Sequence, residues 1–526
     1  MSAGPVVRTE ALGGSPLSRA AQAGQLPRWY PQIPTNAASW NDHYSSIISS
    51  TPANWHQRLA AAFSAQGAAA ERLARSAGGK GLVVTTGQQP GLFGGPLMTF
   101  NKALTARALA DALERQLGVP VAPVFWAATD DADFDEAARV SVALADGAHE
   151  LVLESTSPGG VPMARVPIGR DVRALLESFH AACGSAPHAA YVERVDREYV
   201  EGATVGDAYV KVLRAALEPL GIAVLDVSHP SVGAASAEVL AQAAARSADV
   251  AEAVAARSAE LRTAGYDPQV EEVGGLSLVF VNEQGTKRRL PIGEAARFTA
   301  SSDRWLSSTV LMRPVLERAI LPTAAYIGGP GEIAYFAQVS AVAEALQLAK
   351  PLVVPRWSAT IVEPRVQHVL DALGVTIESL QDPHAAETRL ARARMPQRAA
   401  DALTLLRAEL EARLSALSQS ADRLVPDTTI DGVRRTFDHR LDRLERRFVA
   451  GVKHRETELM RSLAFVRGAL FPHGARQERK LAYAPFLARY GSSLIDAMLA
   501  EASKHANALV SPNALPSSAA QTPARV

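Results

Sequence analysis

Cysteine is nearly absent from this sequence, because Cys183 is the single cysteine among 526 residues. One cysteine cannot form a disulfide bond within the chain, and it cannot supply the thiolates of a cysteine-based zinc site. The sequence therefore excludes both kinds of cross-link, and we assign no metal-binding residues.

Neither sign of charge is in excess, because 54 Lys and Arg residues balance 54 Asp and Glu residues. A general nucleic-acid-binding protein carries a basic surplus, so this balance argues against nucleic acid as a partner. The sequence also lacks the roughly 18 consecutive apolar residues that a membrane-spanning helix needs. Its first residues show no apolar run typical of a signal peptide. We therefore expect a cytoplasmic protein that binds no membrane.

Several catalytic motifs are missing as well. The sequence has no G-x-x-x-x-G-K-[ST] phosphate loop, no G-x-S-x-G and no H-E-x-x-H, and no G-x-G-x-x-G follows its first core strand. Each of these motifs is tied to a mechanism that needs those residues at that spacing. P-loop NTPases, serine hydrolases, zinc proteases and standard dehydrogenases are therefore disfavoured.

The residues that are present predict an α/β fold built on a parallel sheet. A short apolar strand at 82–84, a helix at 97–116 and a second strand at 121–126 form a βαβ unit. With 526 residues, the chain is too long for one hydrophobic core. Further core strands are predicted at 222–227, 324–327 and 352–354.

Other segments interrupt or follow this alternation. We expect insertions into the core that include one long Ala-rich helix at 232–264 and a hairpin at 269–290. Leucines spaced three and four residues apart from 403 onward, and a second apolar run from 430, predict an antiparallel coiled-coil hairpin. Residues 511–526 are rich in Pro, Ser and Ala, which predicts disorder.

Three loops follow core strands, where the ligands of open α/β sheets bind. Glycine backbones and helix N-termini there favour an anion, and clustered carboxylates favour an amine, a hydroxyl or Mg²⁺. A glycine loop can also be only a tight turn, and an acidic loop can be only a solvated surface. The candidate residues are Thr86, Gly87, Gln88, Gln89, Gly94, Gly95 and Lys102 in the first loop and its helix, Trp126, Asp130, Asp131 and Asp133 in the second, and Gly328, Gly329, Gly331 and Glu332 in the third.

At these loops the sequence resembles the bacillithiol biosynthesis cysteine-adding enzymes. The strings GQQPGLFGGPL and GGPGEIAYFAQ are more specific than any short glycine pattern. The matching stretches are TTGQQPGLFGGPLMTFNKALTA at 85–106, PVFWAATDDADFDEA at 123–137, LMRPVLERAILPTAAYIGGPGEIAYFAQV at 311–339, VVPRWSATIVE at 353–363 and PHGARQERKLAYAPFLARYG at 472–491.

The resemblance implies a Rossmann-like core with connecting-peptide insertions and a C-terminal antiparallel α-helical coiled coil that pairs two subunits into a homodimer. The expected core occupies 1–145, 206–231 and 309–375. The expected insertions are 146–205 and 232–308, the coiled-coil hairpin is 376–470, and 471–526 forms a C-terminal segment and tail.

The reaction that the resemblance implies adds L-cysteine to glucosaminyl-malate and forms bacillithiol. Because a carboxylate is a poor electrophile, we expect ATP to activate it, while the need for Mg²⁺ stays open. Asp130, Asp131, Asp133 and Glu332 are the expected catalytic residues. The remaining loop residues are expected to bind substrate or nucleotide, together with Gln477, Glu478 and Arg479 of the C-terminal matching stretch.

One position departs from the family pattern, in which the acidic loop reads Glu/Asp-Asp-His-Asp. Ala132 stands here in place of the histidine, so any role of that histidine is in doubt for this chain. Two alternatives remain open: a nucleotidyl-transferase-like enzyme for another amino acid or amino sugar, and a non-catalytic coiled-coil scaffold. The polar residues at the strand ends favour an enzyme, because a scaffold needs none of them.

Overall fold

The computed structural model describes residues 4–155, 157–301, 304–420, 424–511 and 524–525. Most of the segment predicted to be disordered, 511–526, lies outside these residues. The chain forms two compact units. The first comprises Met1–Val142, His149–Pro364 and Arg476–Val526, and the second comprises Ala143–Ala148 and Arg365–Ala475.

Strands alternate with helices along most of the first unit, and the second unit is largely helical. The strands are β1 (Val6–Thr9), β2 (Leu82–Gln88), β3 (Val121–Ala127), β4 (Arg139–Leu144), β5 (Gly147–Val152), β6 (Ala223–Asp226), β7 (Leu276–Glu283), β8 (Thr286–Pro291), β9 (Arg304–Ser308), β10 (Thr323–Gly328), β11 (Val353–Pro355), β12 (Ala359–Val362) and β13 (Ala524–Arg525). The helices before β6 are α1 (Pro16–Gln22), α2 (Ala37–Ser50), α3 (Trp55–Phe63), α4 (Gly67–Gly78), α5 (Leu97–Leu117), α6 (Phe134–Ala137), α7 (Val172–Cys183), α8 (Ala190–Glu198) and α9 (Val205–Leu217). The later helices are α10 (Pro230–Ala245), α11 (Ser247–Thr263), α12 (Ile292–Ala295), α13 (Arg313–Ile320), α14 (Pro330–Leu346), α15 (Pro364–Leu373), α16 (Pro383–Ala393), α17 (Gln397–Ser420), α18 (Asp427–Arg455), α19 (Thr457–Leu470), α20 (Gln477–Lys480) and α21 (Ala484–Val510).

A five-stranded parallel sheet in the order β11-β10-β2-β3-β6 forms the centre of the first unit. The chain runs outward from β2 through β3 to β6, then returns to the other side of β2 for β10 and β11. Every residue of β3 is buried, as expected for a parallel strand covered on both faces. This confirms the predicted Rossmann-like core. Its strand order reverses between β2 and β10, which opens a crevice at their carboxyl ends.

Two predicted elements differ in extent from the structure. Strand β2 continues through Gln88, so Thr86 and Gly87 belong to the strand and not to the loop after it. The predicted long helix at 232–264 is two helices, α10 and α11, because the backbone leaves the helical conformation at Arg246. The Ser247 hydroxyl there donates to the Ile292 carbonyl at 3.2 Å. The sequence near Ser247 gives no sign of this distant contact.

The predicted hairpin in the second insertion is present as β7 and β8. The residues between the strands, Gln284 and Gly285, both have positive φ, at 51° and 84°. Such a pair matches the right-handed twist of a hairpin. Strand β9, which was not predicted, pairs antiparallel with β7 and completes a three-stranded sheet.

The second unit contains the predicted helical hairpin, made by α17 and α18. Arg407 donates to Asp442 at 2.8 Å and Arg434 donates to Glu411 at 3.0 Å, so charged pairs join the two helices. Only part of the apolar stripe is buried. Several large apolar side chains stay at least 40% exposed: Leu405, Leu406, Leu417, Val433, Phe437, Leu444 and Phe448. No helix in the described part of the chain is long and apolar enough to span a membrane.

The first glycine loop packs against two buried tyrosines. The Tyr199 hydroxyl donates to the Gly91 carbonyl at 3.1 Å and accepts from the Gly94 N–H at 3.3 Å. A Cβ atom on Gly94 would lie 2.5 Å from the Tyr483 hydroxyl oxygen, and Gly94 has a φ of +92°. Glycine is therefore required at 94 by both the backbone conformation and the space available.

We predict that Gly94→Ala destabilises the first unit by about 2–5 kcal/mol, since a positive φ and overpacking both penalise a side chain. All six tryptophans of the chain lie in this unit, so denaturation followed by tryptophan fluorescence measures its stability. Gly331→Ala is the matched control, because nothing lies within 4 Å of its added Cβ atom. Equal stability of the two variants would contradict this account of the loop.

Candidate active site

A cavity of about 690 Å³ opens at the carboxyl ends of β2, β3 and β10, where the strand order reverses. Most of the residues predicted from the three loops line it. They are Gly87, Gln88, Gln89, Lys102, Trp126, Asp130, Asp131, Asp133, Gly329, Gly331 and Glu332, together with Arg479 from the C-terminal stretch.

The structure places six other predicted residues outside the cavity. Thr86 donates from its hydroxyl to the Ile327 carbonyl at 3.0 Å, inside the sheet. Gly328 ends β10, where a Cβ atom would lie 2.9 Å from Val353 Cγ2. Gly94 packs against Tyr483, as described above, and the Gly95 carbonyl accepts from the Tyr483 N–H at 3.4 Å. These two glycines therefore allow close packing of the loop, and they do not form the expected anion-binding site of the cavity.

Gln477 and Glu478, the last two of the six, hold the C-terminal segment to the core. The Gln477 side chain accepts from the Ile361 N–H at 2.8 Å and donates to the Ile361 carbonyl at 2.9 Å. Glu478 accepts from both terminal nitrogens of Arg356, each at 2.7 Å. Asn101 and Ser358 donate to the same carboxylate, so these contacts position Arg356 and the neighbouring Arg479.

The buried Lys102 and the partly buried Glu332 form an ion pair at 2.5 Å across the point where the strand order reverses. The Lys102 ammonium also donates to the Gly87 carbonyl at 2.8 Å and to the Gln88 side-chain oxygen at 2.9 Å. An ammonium has three N–H donors, so all of them are engaged. Lys102 therefore positions the end of β2 and turns the Gln88 amide nitrogen away from itself.

The Glu332 carboxylate also has several hydrogen-bond donors besides Lys102. It accepts from the Gly329 N–H at 2.8 Å, in the capping box of α14, and from the Tyr326 hydroxyl. Burial by itself would raise the pKa of the Glu332 carboxyl, but Lys102 and Arg313 outweigh that effect and hold the pKa below its ordinary value. These contacts fit a positioning role for Glu332, and its expected catalytic role stays a prediction.

Arg313 was not among the predicted site residues, although it lies within the matching stretch 311–339. Its guanidinium lines the cavity and donates to the hydroxyls of Tyr326 at 3.2 Å and Tyr335 at 2.9 Å. A Cβ atom on Gly87 would lie 3.2 Å from Arg313 Nη1, so glycine at 87 lets this cation approach the sheet. The side chain also lies 3.7 Å from Glu317 and 3.8 Å from Glu332.

The acidic loop forms the opposite wall. Asp131 accepts from the Gln89 amide at 2.8 Å and from the Asp133 N–H at 2.9 Å. Asp133 in turn caps α6 by accepting from the Glu136 N–H at 3.1 Å. Ala132 presents only a methyl group to the cavity. Within the described residues, no group of three or more His, Cys, Asp and Glu side chains could hold a metal ion.

Strand β8 completes the cavity with side chains that sequence reasoning missed. Lys287 donates to both the backbone and the side chain of Asp130, each at 2.9 Å, and its ammonium lies 4.7 Å from the Phe280 ring centroid. Arg289 also lines the cavity. The alternation of side chains along a strand predicts that Lys287 and Arg289 share one face of β8. It does not predict that this face lies against the acidic loop.

Two family models match this chain. The model described as "Bacillithiol biosynthesis BshC, N-terminal Rossmann-like domain" matches residues 21–305 and 293–357. The model described as "Bacillithiol biosynthesis BshC, C-terminal coiled-coil domain" matches residues 359–509. Together the matches cover most of the chain.

Similar proteins named "Putative cysteine ligase BshC" occur in several bacteria. The one from Koribacter versatilis is 31% identical over 453 residues, which cover 82% of each chain. The one from Solibacter usitatus is 30% identical over 456 residues, covering 83% of this chain and 85% of the relative. The one from Heliobacterium modesticaldum is 31% identical over 498 residues, covering 86% of this chain and 88% of the relative.

The fully buried Glu317, which faces Arg313, generates a pH-dependent prediction. Burial raises the pKa of Glu317 from 4.5 to about 7, and Arg313 only partly opposes this. The protonated carboxyl therefore stabilises the fold. That contribution is complete below pH 4.5 and is lost as the pH rises through 7. Because glutamine stays neutral, we expect Glu317→Gln to exceed the wild type in stability by up to about 3 kcal/mol at pH 8.

Denaturation midpoints between pH 3 and pH 8, followed by tryptophan fluorescence, measure this difference. Glu332→Gln is the contrasting variant, since the pKa of Glu332 is lowered. Glu332→Gln should be less stable than the wild type at neutral pH. The difference in stability should narrow as the pH falls below 4.5, the ordinary pKa of a glutamate. A Glu317→Gln advantage that does not change with pH would contradict the assignment.

Proposed function

Because the chain belongs to the bacillithiol biosynthesis BshC family, whose curated members bear the name of cysteine ligases, we propose that it joins the carboxyl group of L-cysteine to the amino group of glucosaminyl-malate. The product is an amide, bacillithiol. The reaction is proposed to run in the cytoplasm, where the cysteine thiol stays reduced.

The observation that carries this proposal is the division of charge across the cavity. Asp131 and Asp133 lie on one wall, and carboxylates bind an ammonium or a sugar hydroxyl. Arg313 and the N-terminus of α14 lie on the other wall, where an anion is favoured. The two proposed substrates offer both kinds of group, since cysteine is a zwitterion and the acceptor carries an amine and two carboxylates.

The proposed chemistry needs an activated carboxyl group, and ATP is the proposed donor. The cysteine carboxylate would attack the α-phosphorus and release pyrophosphate, or attack the γ-phosphorus and release ADP. The acceptor amine would then displace AMP or phosphate from the acyl group as the C–N bond forms. Asp131 or Asp133 would take the proton that the amine loses. The Gln88 amide, turned by Lys102, would donate to a substrate oxygen.

We also propose that two subunits pair through the helical hairpin of the second unit. The support is the row of apolar side chains on α17 and α18 that stays exposed, which includes Phe437, Leu444 and Phe448. Exposed apolar residues repeated along helices are typical of an association surface.

The first test is thiol profiling by mass spectrometry in a strain that lacks the gene. We expect glucosaminyl-malate to accumulate and its cysteinylated product to disappear. The wild-type gene should restore the product, whereas Asp131→Asn should lower kcat/KM at least a hundredfold and fail to restore it. Asp135→Asn is the matched control, because Asp135 is exposed and lies outside the cavity lining. An unchanged thiol pool in the deletion strain would overturn the proposal.

A second test identifies the activating donor with the purified full-length protein. We expect amide formation from L-cysteine and glucosaminyl-malate to require ATP and to release one nucleotide product per amide bond. Chromatography of the nucleotides distinguishes the two routes, since AMP indicates an adenylate and ADP indicates an acyl phosphate. Amide formation at the same rate without ATP would rule out both routes.

A further inference from the structure

Arg356, which is buried, and Arg313, whose side chain is 15% exposed, flank the first turn of α14, and each is held from behind by other side chains. Glu478 binds the two terminal nitrogens of Arg356, and Asn101 and Ser358 fix Glu478 in turn. Arg313 is held through Nη2 by the hydroxyls of Tyr326 and Tyr335. Both guanidinium groups therefore have a fixed orientation before any ligand binds.

Each of these arginines retains a buried nitrogen with no acceptor within hydrogen-bond distance among the described residues: Nε of Arg356, and Nη1 of Arg313, which lies 3.7 Å from the Glu317 carboxylate. Arg356 is 2% exposed, and its Nε lies 3.6 Å from the position of a Cβ atom on Gly329. A third such donor, Nε1 of Trp126, belongs to another fully buried side chain of the same cavity lining. An unpaired buried donor is costly, so three of them around one cavity indicate a ligand rich in acceptor atoms.

The local charge favours an anion as that ligand. Glu332 neutralises Lys102, and Glu478 neutralises Arg356. Glu317 faces Arg313, but its raised pKa of about 7 leaves it only partly ionised at neutral pH. The positive end of the α14 dipole adds to the remaining charge of Arg313.

We propose that Arg313 and Arg356 form a dicarboxylate subsite across the N-terminus of α14, each arginine holding one carboxylate of the acceptor. This inference rests on the proposed function, in which the acceptor carries a malate group with two carboxylates. A guanidinium that is already positioned binds a carboxylate with little loss of side-chain entropy, and a lysine at the same place cannot reproduce the planar donors. The amino group of the acceptor would then face the acidic loop on the other wall.

Isothermal titration of the full-length protein tests the subsite with three probes: L-malate, L-lactate and inorganic phosphate. We expect wild-type protein to bind malate at least tenfold more tightly than lactate, which has one carboxylate. Arg313→Lys and Arg356→Lys should each weaken malate binding about tenfold to a hundredfold. Arg318→Lys is the matched control, because Arg318 is also buried but lies outside this cavity and binds Ser50 and Thr51.

Malate binding that both lysine variants leave unchanged would overturn the subsite. So would phosphate binding that is tighter than malate binding and lost in both variants, since the arginines would then serve a nucleotide phosphate. The comparison of malate with lactate needs only the wild-type protein, so it stands even where a variant fails to fold.

Steady-state kinetics separates this inference from the proposed function. If wild-type protein forms bacillithiol but the two lysine variants leave KM for glucosaminyl-malate unchanged, the subsite is overturned and the proposed function stands. If wild-type protein forms no bacillithiol but binds malate through these arginines, the proposed function fails and the dicarboxylate subsite stands.

Discussion

The ion pair between Lys102 and Glu332 connects four elements of the core at the carboxyl ends of the sheet strands. Taking two charges out of water is expensive, and their attraction compensates only when the remaining donors and acceptors are satisfied. Here the ammonium has three acceptors, and the carboxylate accepts from the Gly329 backbone and Tyr326 as well. Strand β2, helix α5, strand β10 and helix α14 are thereby fixed to one another at a single point.

The rest of the cavity is arranged around that fixed point. Gln88 receives its orientation from Lys102, and the first turn of α14 receives its cap from Glu332. A second buried pair, Arg356 with Glu478, holds the C-terminal segment against the same edge. Each pair neutralises the charges within it, while Arg356 keeps one N–H, at Nε, without a hydrogen-bond acceptor among the described residues. Preorganised dipoles and charges of this kind need not rearrange during a reaction.

The sequence predicted those parts of the fold and site that depend on local pattern. Continuous apolar runs indicated the core strands, and polar residues after them placed Gln88, Asp131 and Gly329 at one edge of a parallel sheet. Arg313, Arg356 and Lys287 were missed because their roles come from contacts with residues distant in the chain. Gly94 and Gly95 were misassigned for a related reason. A glycine loop that cradles an anion and one that packs against Tyr483 have the same local sequence, and only the tertiary fold separates them.

Strand β8 lies outside the central sheet, yet its side chains line the cavity. Lys287 reaches from β8 to Asp130 and neutralises one carboxylate of the acidic loop. Asp131 and Asp133 are not neutralised in this way, since their described partners are an amide and backbone N–H groups. With Ala132 between them, the loop has no imidazole that could share a proton. In the proposed reaction, the proton that the acceptor amine loses would therefore pass to Asp131 or Asp133, which no described ion pair holds.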